Sequence, residues 1–211
     1  MDRDAFGCSP MWSQKTDANL TRPRKPDLNT EPALVVRPSH DDDVEAMLAI
    51  YARHIRQGIE AEVGESGVPL PDDIRDRRKN LRSRRFPHLV ATLGGTVVGY
   101  AYVVIFRKRP AYRFVVKHSI YVHHDHLGRG IGKQLMKDLI DACAAAGFRQ
   151  MIGYIDGDNV ASLALHASFG FEQVGRLKGV GFKHGRWADS VLVQRSLGAG
   201  STAPPPPVRR Y

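Results

Sequence analysis

Two spacings of apolar residues alternate along the chain, one of about two residues and one of about 3.6, and each switch marks a boundary between a strand and a helix. Ala33 to Arg37 reads as a first strand. Val44, Met47, Leu48, Ile50, Tyr51 and Ile55 then recur at helical spacing, which predicts a helix from about Asp41 to Gln57. Ser39 can cap that helix, and Asp41, Asp42 and Asp43 complement its N-terminal dipole. A loop rich in Gly and Pro, from Gly58 to Pro69, leads into a second helix from about Pro71 to Arg85. Leu89 to Leu93 and Val97 to Phe106 form a hairpin around Gly94-Gly95, a pair suited to the primed turn types.

Val115 to Val122 is the next strand, followed by a glycine-rich turn and a helix over about Ile131 to Ala146. Leu135, Met136, Leu139, Ile140 and Cys143 form the apolar stripe of that helix, and Gly147 is a natural stop. Met151 to Asp156 is a buried strand; a helix around Ala161 to Phe169 and strands near Phe171 to Leu177 and Ala188 to Leu197 complete the set. The order predicts an α+β fold in layers, a mixed sheet with helices on both faces. No internal repeat is present.

This domain runs from residue 33 to 197. Residues 1–32, rich in Asp, Pro, Thr, Lys and Arg, read as a flexible N-terminal arm without the apolar stretch of a secretory signal. Residues 198–211, a Gly/Ser linker followed by Pro204 to Pro207, read as a disordered Pro-rich tail. A chain of 211 residues with 42% hydrophobic content can bury one good core. No apolar run approaches the roughly 20 residues a membrane span needs. With only Cys8 and Cys143, no disulfide framework is expected, which fits a reducing, cytoplasmic compartment.

Net charge is +9, and its densest cluster is Arg75, Arg77, Arg78, Lys79, Arg82, Arg84 and Arg85 in the second helix. Ile74, Leu81 and Phe86 supply a narrow apolar side and the basic residues fall mostly on the rest. Such a face is either simply solvated or a collar that draws in anionic ligands. No aromatic residues are interleaved with it, which argues against nucleic acid.

The chemistry concentrates where the strand ending Ile120-Tyr121-Val122 runs through Leu127-Gly128-Arg129-Gly130-Ile131-Gly132-Lys133 into a helix. A helix's first turn leaves about four N–H groups unpartnered, and with the helix dipole they make an anion site. Gly128, Gly130 and Gly132 let a diphosphate approach the main chain, while Arg129 and Lys133 add charge at the rim. A Walker loop is excluded because Lys133 is followed by Gln134, and a dinucleotide fingerprint because the third glycine is wrongly spaced. His123-His124-Asp125-His126 offers consecutive loop ligands without a remote partner, so no metal is expected.

The strand, the glycine loop, Asn159 and Leu165-His166-Ala167-Ser168-Phe169-Gly170-Phe171 together resemble the GNAT acetyltransferase superfamily over about Ala33 to Leu197. Arg109-Pro110-Ala111-Tyr112-Arg113-Phe114 and Lys183-His184-Gly185-Arg186-Trp187-Ala188-Asp189 resemble its phosphinothricin N-acetyltransferase branch. The resemblance implies a three-layer α/β/α domain whose mostly antiparallel sheet splays at the cofactor cleft. It also implies acetyl-CoA as co-substrate, a small amino-acid-like amine such as phosphinothricin, methionine sulfone or methionine sulfoximine as acceptor, and a homodimer, a common assembly in the family. Acetyl-CoA would then be held by the Gly128 to Lys133 turn, by Ile120, Tyr121 and Val122 pairing with pantetheine, and by Asn159, which can equally be a plain helix-entry residue.

His166 is the implied proton donor to the departing thiolate, or a packing residue of its helix. Tyr112 and the segment from Lys183 are the implied amine pocket, with Trp187 equally suited to the core. Two positions depart from the family pattern. Leu127 stands where Gln or Arg is usual, and Lys117 stands where the family carries the Glu that acts as base or steers the amine. A lysine is cationic near neutrality and cannot accept a proton. Three readings follow: His118 serves if a bulge re-aims it, water or His123 or His124 relays the proton, or Lys117 binds a substrate carboxylate. The alternative to an enzyme is an acyl-CoA-binding sensor that has lost its base.

Overall fold

The computed structural model describes residues 32–57, 70–183 and 185–205. Residues 1–31 of the predicted N-terminal arm, the Gly58 to Pro69 loop, His184 and the last six residues lie outside the described residues. Among the described residues seven strands form one open sheet: β1 (Leu34–Pro38), β2 (His88–Leu93), β3 (Thr96–Ile105), β4 (Val115–Val122), β5 (Gln150–Asp156), β6 (Glu172–Lys183) and β7 (Arg186–Ser196), in the spatial order β1-β2-β3-β4-β5-β7-β6. Every neighbouring pair is antiparallel except β4 with β5, which is parallel. The mixed sheet expected from the alternation, and the mostly antiparallel pairing that the resemblance implies, are therefore both present. Gly94 and Gly95 both take positive φ, the conformation a two-residue primed turn requires.

Among the described residues four α-helices cover the two faces: α1 (Val44–Gln57), α2 (Pro71–Ser83), α3 (Ile131–Ala145) and α4 (Val160–Ser168). The stripe Leu135, Met136, Leu139, Ile140 and Cys143 of α3 is buried against Ala91, Val103, Val116 and Met151, with Leu163 and Leu165 of α4 and Phe169 just after it packed on the same core. On the opposite face Val44, Met47 and Ile50 of α1 and Ile74 and Leu81 of α2 pack over Val90, Tyr100 and Tyr102. Burying each such side chain contributes about 1.5–3 kcal/mol, so the strand alternation and helix stripes together set which face each element presents. Beyond β7, Gly200 and Thr202 donate backbone hydrogen bonds to Leu197 and Ala199, so the tail begins as a pair of turns.

Two details depart from expectation. The predicted first helix opens as a 3-10 turn over Asp41–Asp43, and Asp43 rather than Ser39 supplies its side-chain cap, accepting from the His40 N–H at 2.6 Å. In α2 the basic residues do not all face solvent: Arg78, 2% exposed, sits on the inner stripe between Ile74 and Leu81. Its guanidinium donates to the Ser39 carbonyl at 2.9 Å and pairs with Asp41, tying α2 to the entry of α1. Those partners lie nearly forty residues away, so the helical pattern alone cannot reveal that this cation is spoken for.

Asp43 also receives Arg37 in a two-pronged pair at 2.7 Å. Burial pushes its carboxyl up, but the Arg37 guanidinium and the His40 N–H outweigh that and hold it below the usual carboxylate range. Because the folded value is depressed, the stabilisation is complete above the ordinary carboxylate range and fades as pH falls through the folded value. Asp43→Ala is expected to lower stability by about 2 kcal/mol at neutral pH, with the difference from the parent shrinking in acid. Denaturant unfolding of both proteins at several pH values checks this.

Candidate active site

Strands β4 and β5 pair only through Val115, Val116 and Lys117 with Gln150, Met151 and Ile152, and then part. Beyond that point β5 remains bonded to β7 as far as Asp156 and β4 remains bonded to β3 as far as Val122. The ladder to β3 uses alternate residues of β4: Phe106 N–H donates to Val115 and His123 N–H to Val98. Ile120 and Val122 therefore turn their main-chain groups toward the gap. His54 of α1 meets the Val122 carbonyl at 2.9 Å and sets its ring edge-on to Tyr121.

The gap opens into a cavity of 590 Å³ lined by Lys117 to Val122, by Gly128, Gly130, Ile131 and Gly132, and by Gly153, Tyr154, Asn159 and Ser162 among others. At one end lies the glycine turn. Gly130 takes φ 79° immediately before α3, where a side chain would be strained, and the first intrahelical bond is Gln134 N–H to Gly130 at 3.0 Å. The N–H groups of Ile131, Gly132 and Lys133 thus stand in the orphan first turn of α3, suited to an anion. Arg129 and Lys133 are exposed beside it, and Leu127, 62% exposed, lines the mouth without adding a polar group. Main-chain donors carry the anion site here.

Asn159 stands both at the helix entry and at the cavity wall. It caps α4, accepting from the Ser162 N–H at 3.0 Å, and it lines the cavity. His166, seven residues along, is 2% exposed. Its Nε2 lies 2.8 Å from Nε2 of His118, which comes from the other wall of the gap. Nδ1 of His118 is 2.9 Å from the Ile152 carbonyl, and Nδ1 of His166 is 2.6 Å from the Ser162 carbonyl. Burial, and then the charge of His166, push His118 down to about 3, with the Ile152 carbonyl opposing. Burial likewise lowers His166, with the Ser162 carbonyl opposing.

No register shift interrupts β4 against β3, so no bulge re-aims His118. Lys117 and His118 point to opposite faces, Lys117 exposed and His118 buried. The Lys117 ammonium sits 5.8 Å from the Tyr154 ring centroid, at the cavity wall. Tyr112 lies elsewhere, edge-on to Phe106 with the Arg107 guanidinium over its ring, and is not among the cavity residues, while the Lys183 side chain lies outside what the structure describes. Trp187 is 67% exposed, which removes it from the core. His123, His124 and Asp125 bring one ligand atom each within 4.8 Å of one another on the exposed turn.

The cavity also contains residues that sequence reasoning passed over: His54, Gly153, Tyr154 and Ser162. Only Ser162 left a local signal, the Asn-x-x-Ser spacing of a capped helix start. Gly153 is required for space. A Cβ there would lie 2.8 Å from His118 Cε1 and 2.9 Å from Val193 Cγ2.

Comparison with known proteins agrees with this geometry. The profile of the Acetyltransferase (GNAT) family matches residues 47–171. The chain is 44% identical to phosphinothricin N-acetyltransferase of Alcaligenes faecalis over 174 residues, covering 82% of this chain and 87% of that one. It is 38% identical to the L-methionine sulfoximine/L-methionine sulfone acetyltransferase of Pseudomonas paraeruginosa over 138 residues, 64% of this chain and 80% of that one. A crystal structure of a phosphinothricin acetyltransferase from Sinorhizobium meliloti in complex with acetyl-CoA superposes with a TM-score of 0.77 at 40% identity, covering 82% of this chain and 93% of that chain.

Gly153→Ala is expected to crowd the His118 ring and Val193 together and to cost about 1–3 kcal/mol of stability, as overpacking does. Thermal and denaturant unfolding measure the loss. A stability unchanged from the parent would show that the His118 ring can move aside.

Proposed function

The chain belongs to the GNAT acetyltransferase family, and from that premise we propose that it carries the acetyl group of acetyl-CoA directly to the primary amine of a small amino-acid-like acceptor, both bound together. It is an N-acetyltransferase with acetyl-CoA as co-substrate. The observation that carries the proposal is the parting of β4 from β5 beside the glycine turn, which sets an open strand edge and an anion site along one cavity.

In this reading the diphosphate rests on the first turn of α3 and the pantetheine arm runs along Ile120 to Val122 as an added strand, with Asn159 at its flank. A main-chain N–H of β4 polarises the thioester carbonyl as charge develops on its oxygen. Holding amine and thioester together supplies much of the rate, because attack becomes effectively unimolecular. His166 gives a proton to the sulfur as the carbon–sulfur bond breaks. The relatives named above act on phosphinothricin and on methionine sulfoximine or sulfone; we place this acceptor in the same class of amino acids.

Lys117 distinguishes this pocket. A cation on the wall attracts an acceptor's carboxylate and also disfavours the ammonium form of a nearby amine, leaving it free to attack. Exposed Phe182 on β6 and Trp187 on β7, edge-on to each other and outside the cavity lining, support a homodimer, and the free, buried Cys143 accords with a cytoplasmic setting.

Release of CoA thiol from acetyl-CoA tests the reading, with phosphinothricin, methionine sulfone, methionine sulfoximine and the common amino acids as acceptors. Lys117→Glu is expected to raise KM for the acceptor on the order of tenfold to a hundredfold, the loss of one charge-assisted bond, with acetyl-CoA binding unchanged. A variant that instead gains turnover over an inert parent would mean that the cleft had lost its base and only binds acyl-CoA.

A further inference from the structure

His118 and His166 meet in an arrangement that ordinary neutral imidazoles cannot satisfy. The Ile152 and Ser162 carbonyls only accept, so Nδ1 of His118 at 2.9 Å and Nδ1 of His166 at 2.6 Å must each carry a hydrogen. A neutral imidazole has one N–H, so both Nε2 atoms would then be bare lone pairs facing each other at 2.8 Å. Moving a hydrogen from Nδ1 to Nε2 on either ring only relocates the conflict: on His118 it sets a bare nitrogen against the Ile152 carbonyl at 2.9 Å, and on His166 it sets one against the Ser162 carbonyl at 2.6 Å, with only the distant Ser162 hydroxyl at 3.4 Å to donate to it. A single added proton resolves every contact at once. We infer that His118 and His166 hold one proton between their Nε2 atoms as a single imidazole–imidazolium unit, and that His118 is thereby the positioning residue for His166.

The surroundings allow one charge and no more. His118 and His166 are 5% and 2% exposed and burial pushes both below the ordinary imidazole value, so an unshared cation on either would be costly. Two carbonyl dipoles and the second ring share this one. With His166 charged, burial and repulsion keep His118 neutral until about 3, which excludes a second proton. The groups packed on the pair are Gly153 and the Ile152 carbonyl of β5, the Ser162 carbonyl and hydroxyl of α4, and the Phe171 ring, 5.2 Å from His118 and 5.1 Å from His166. None of them is charged.

The role in turnover rests on the acetyl-transfer reading. As the carbon–sulfur bond breaks, the shared N–H bond breaks too, an S–H bond forms, and the electron pair stays on nitrogen. The pair is then left with two opposed lone pairs. The proton shed by the newly acylated nitrogen refills it, so the net transfer is one hydrogen from the amine to the sulfur.

Nitrogen-15 NMR of histidine-labelled, ligand-free protein tests the unit without any turnover. The expected spectrum between about pH 5 and 9 contains a state with both Nδ1 atoms protonated and one proton coupled to both Nε2 atoms, the two rings titrating together. Two bare Nε2 atoms throughout that range, or a bare Nδ1, would overturn the inference. Two variants then read its role. His118→Gln offers an oxygen that accepts from His166 Nε2–H, whereas His118→Leu offers nothing. The Leu variant is expected to lose kcat on the order of a hundredfold. Its remaining activity should fail at lower pH than the parent's, because His166 without its acceptor gives up its proton sooner. The Gln variant should restore much of both. A Leu variant with an unmoved pH limb would leave His118 a packing residue and overturn its positioning role. A shared proton in a protein that acetylates nothing would leave the pair standing and refute the acetyl-transfer reading instead.

Discussion

Three residue pairs hold β4 to β5, and the end of that pairing at Lys117 and Ile152 is the constraint from which the rest of the site follows. A sheet that stayed zipped would have spent the main-chain groups of Ile120 and Val122 on β5. Because each strand keeps its other neighbour, the sheet divides without losing its cores: β3 retains β4 and β7 retains β5. The groups released on β4 face a cavity rather than a packed core, where an unpartnered main-chain group would be costly. That cavity ends at the first turn of α3, so a strand edge and an anion site are presented in line by one continuous stretch of chain.

The two faces of β4 divide the labour. Lys117 and Tyr121 look toward the side covered by α1 and α2, where His54 steadies the Val122 carbonyl and the buried Arg78 and paired Asp43 fix how α1 enters. His118 looks the other way, into α4, where His166 and the Gly153 main chain close around it. An exposed cation and a buried imidazole pair therefore sit on successive residues yet in separate environments. The alternation of a regular strand is enough to produce that separation.

Elements carried by local pattern were legible in the sequence. The Gly94-Gly95 turn, the α3 stripe and the Gly128 to Lys133 turn each depend on residues within a few positions of one another, and each lies where the pattern predicts. The parting of β4 from β5 came from family resemblance and not from periodicity, since the apolar run of β4 continues past the point where pairing stops. What the pattern could not show depends on distant partners. Arg78 reads as one more surface arginine until Asp41 and Ser39 are placed beside it. His118 and His166, 48 residues apart, read as two separate candidates and are one hydrogen-bonded unit. Gly153 carries no turn signal because its role is to leave room for a ring from another strand.

The most direct measurement of the central claim is amide hydrogen exchange, residue by residue, with and without acetyl-CoA. If the arm of acetyl-CoA completes the opened edge of β4, exchange at Ile120 and Val122 should slow on binding, together with the first-turn amides of α3. Binding that protects the α3 turn but leaves Ile120 and Val122 exchanging as before would contradict the claim that the parted strand is what holds the acyl arm.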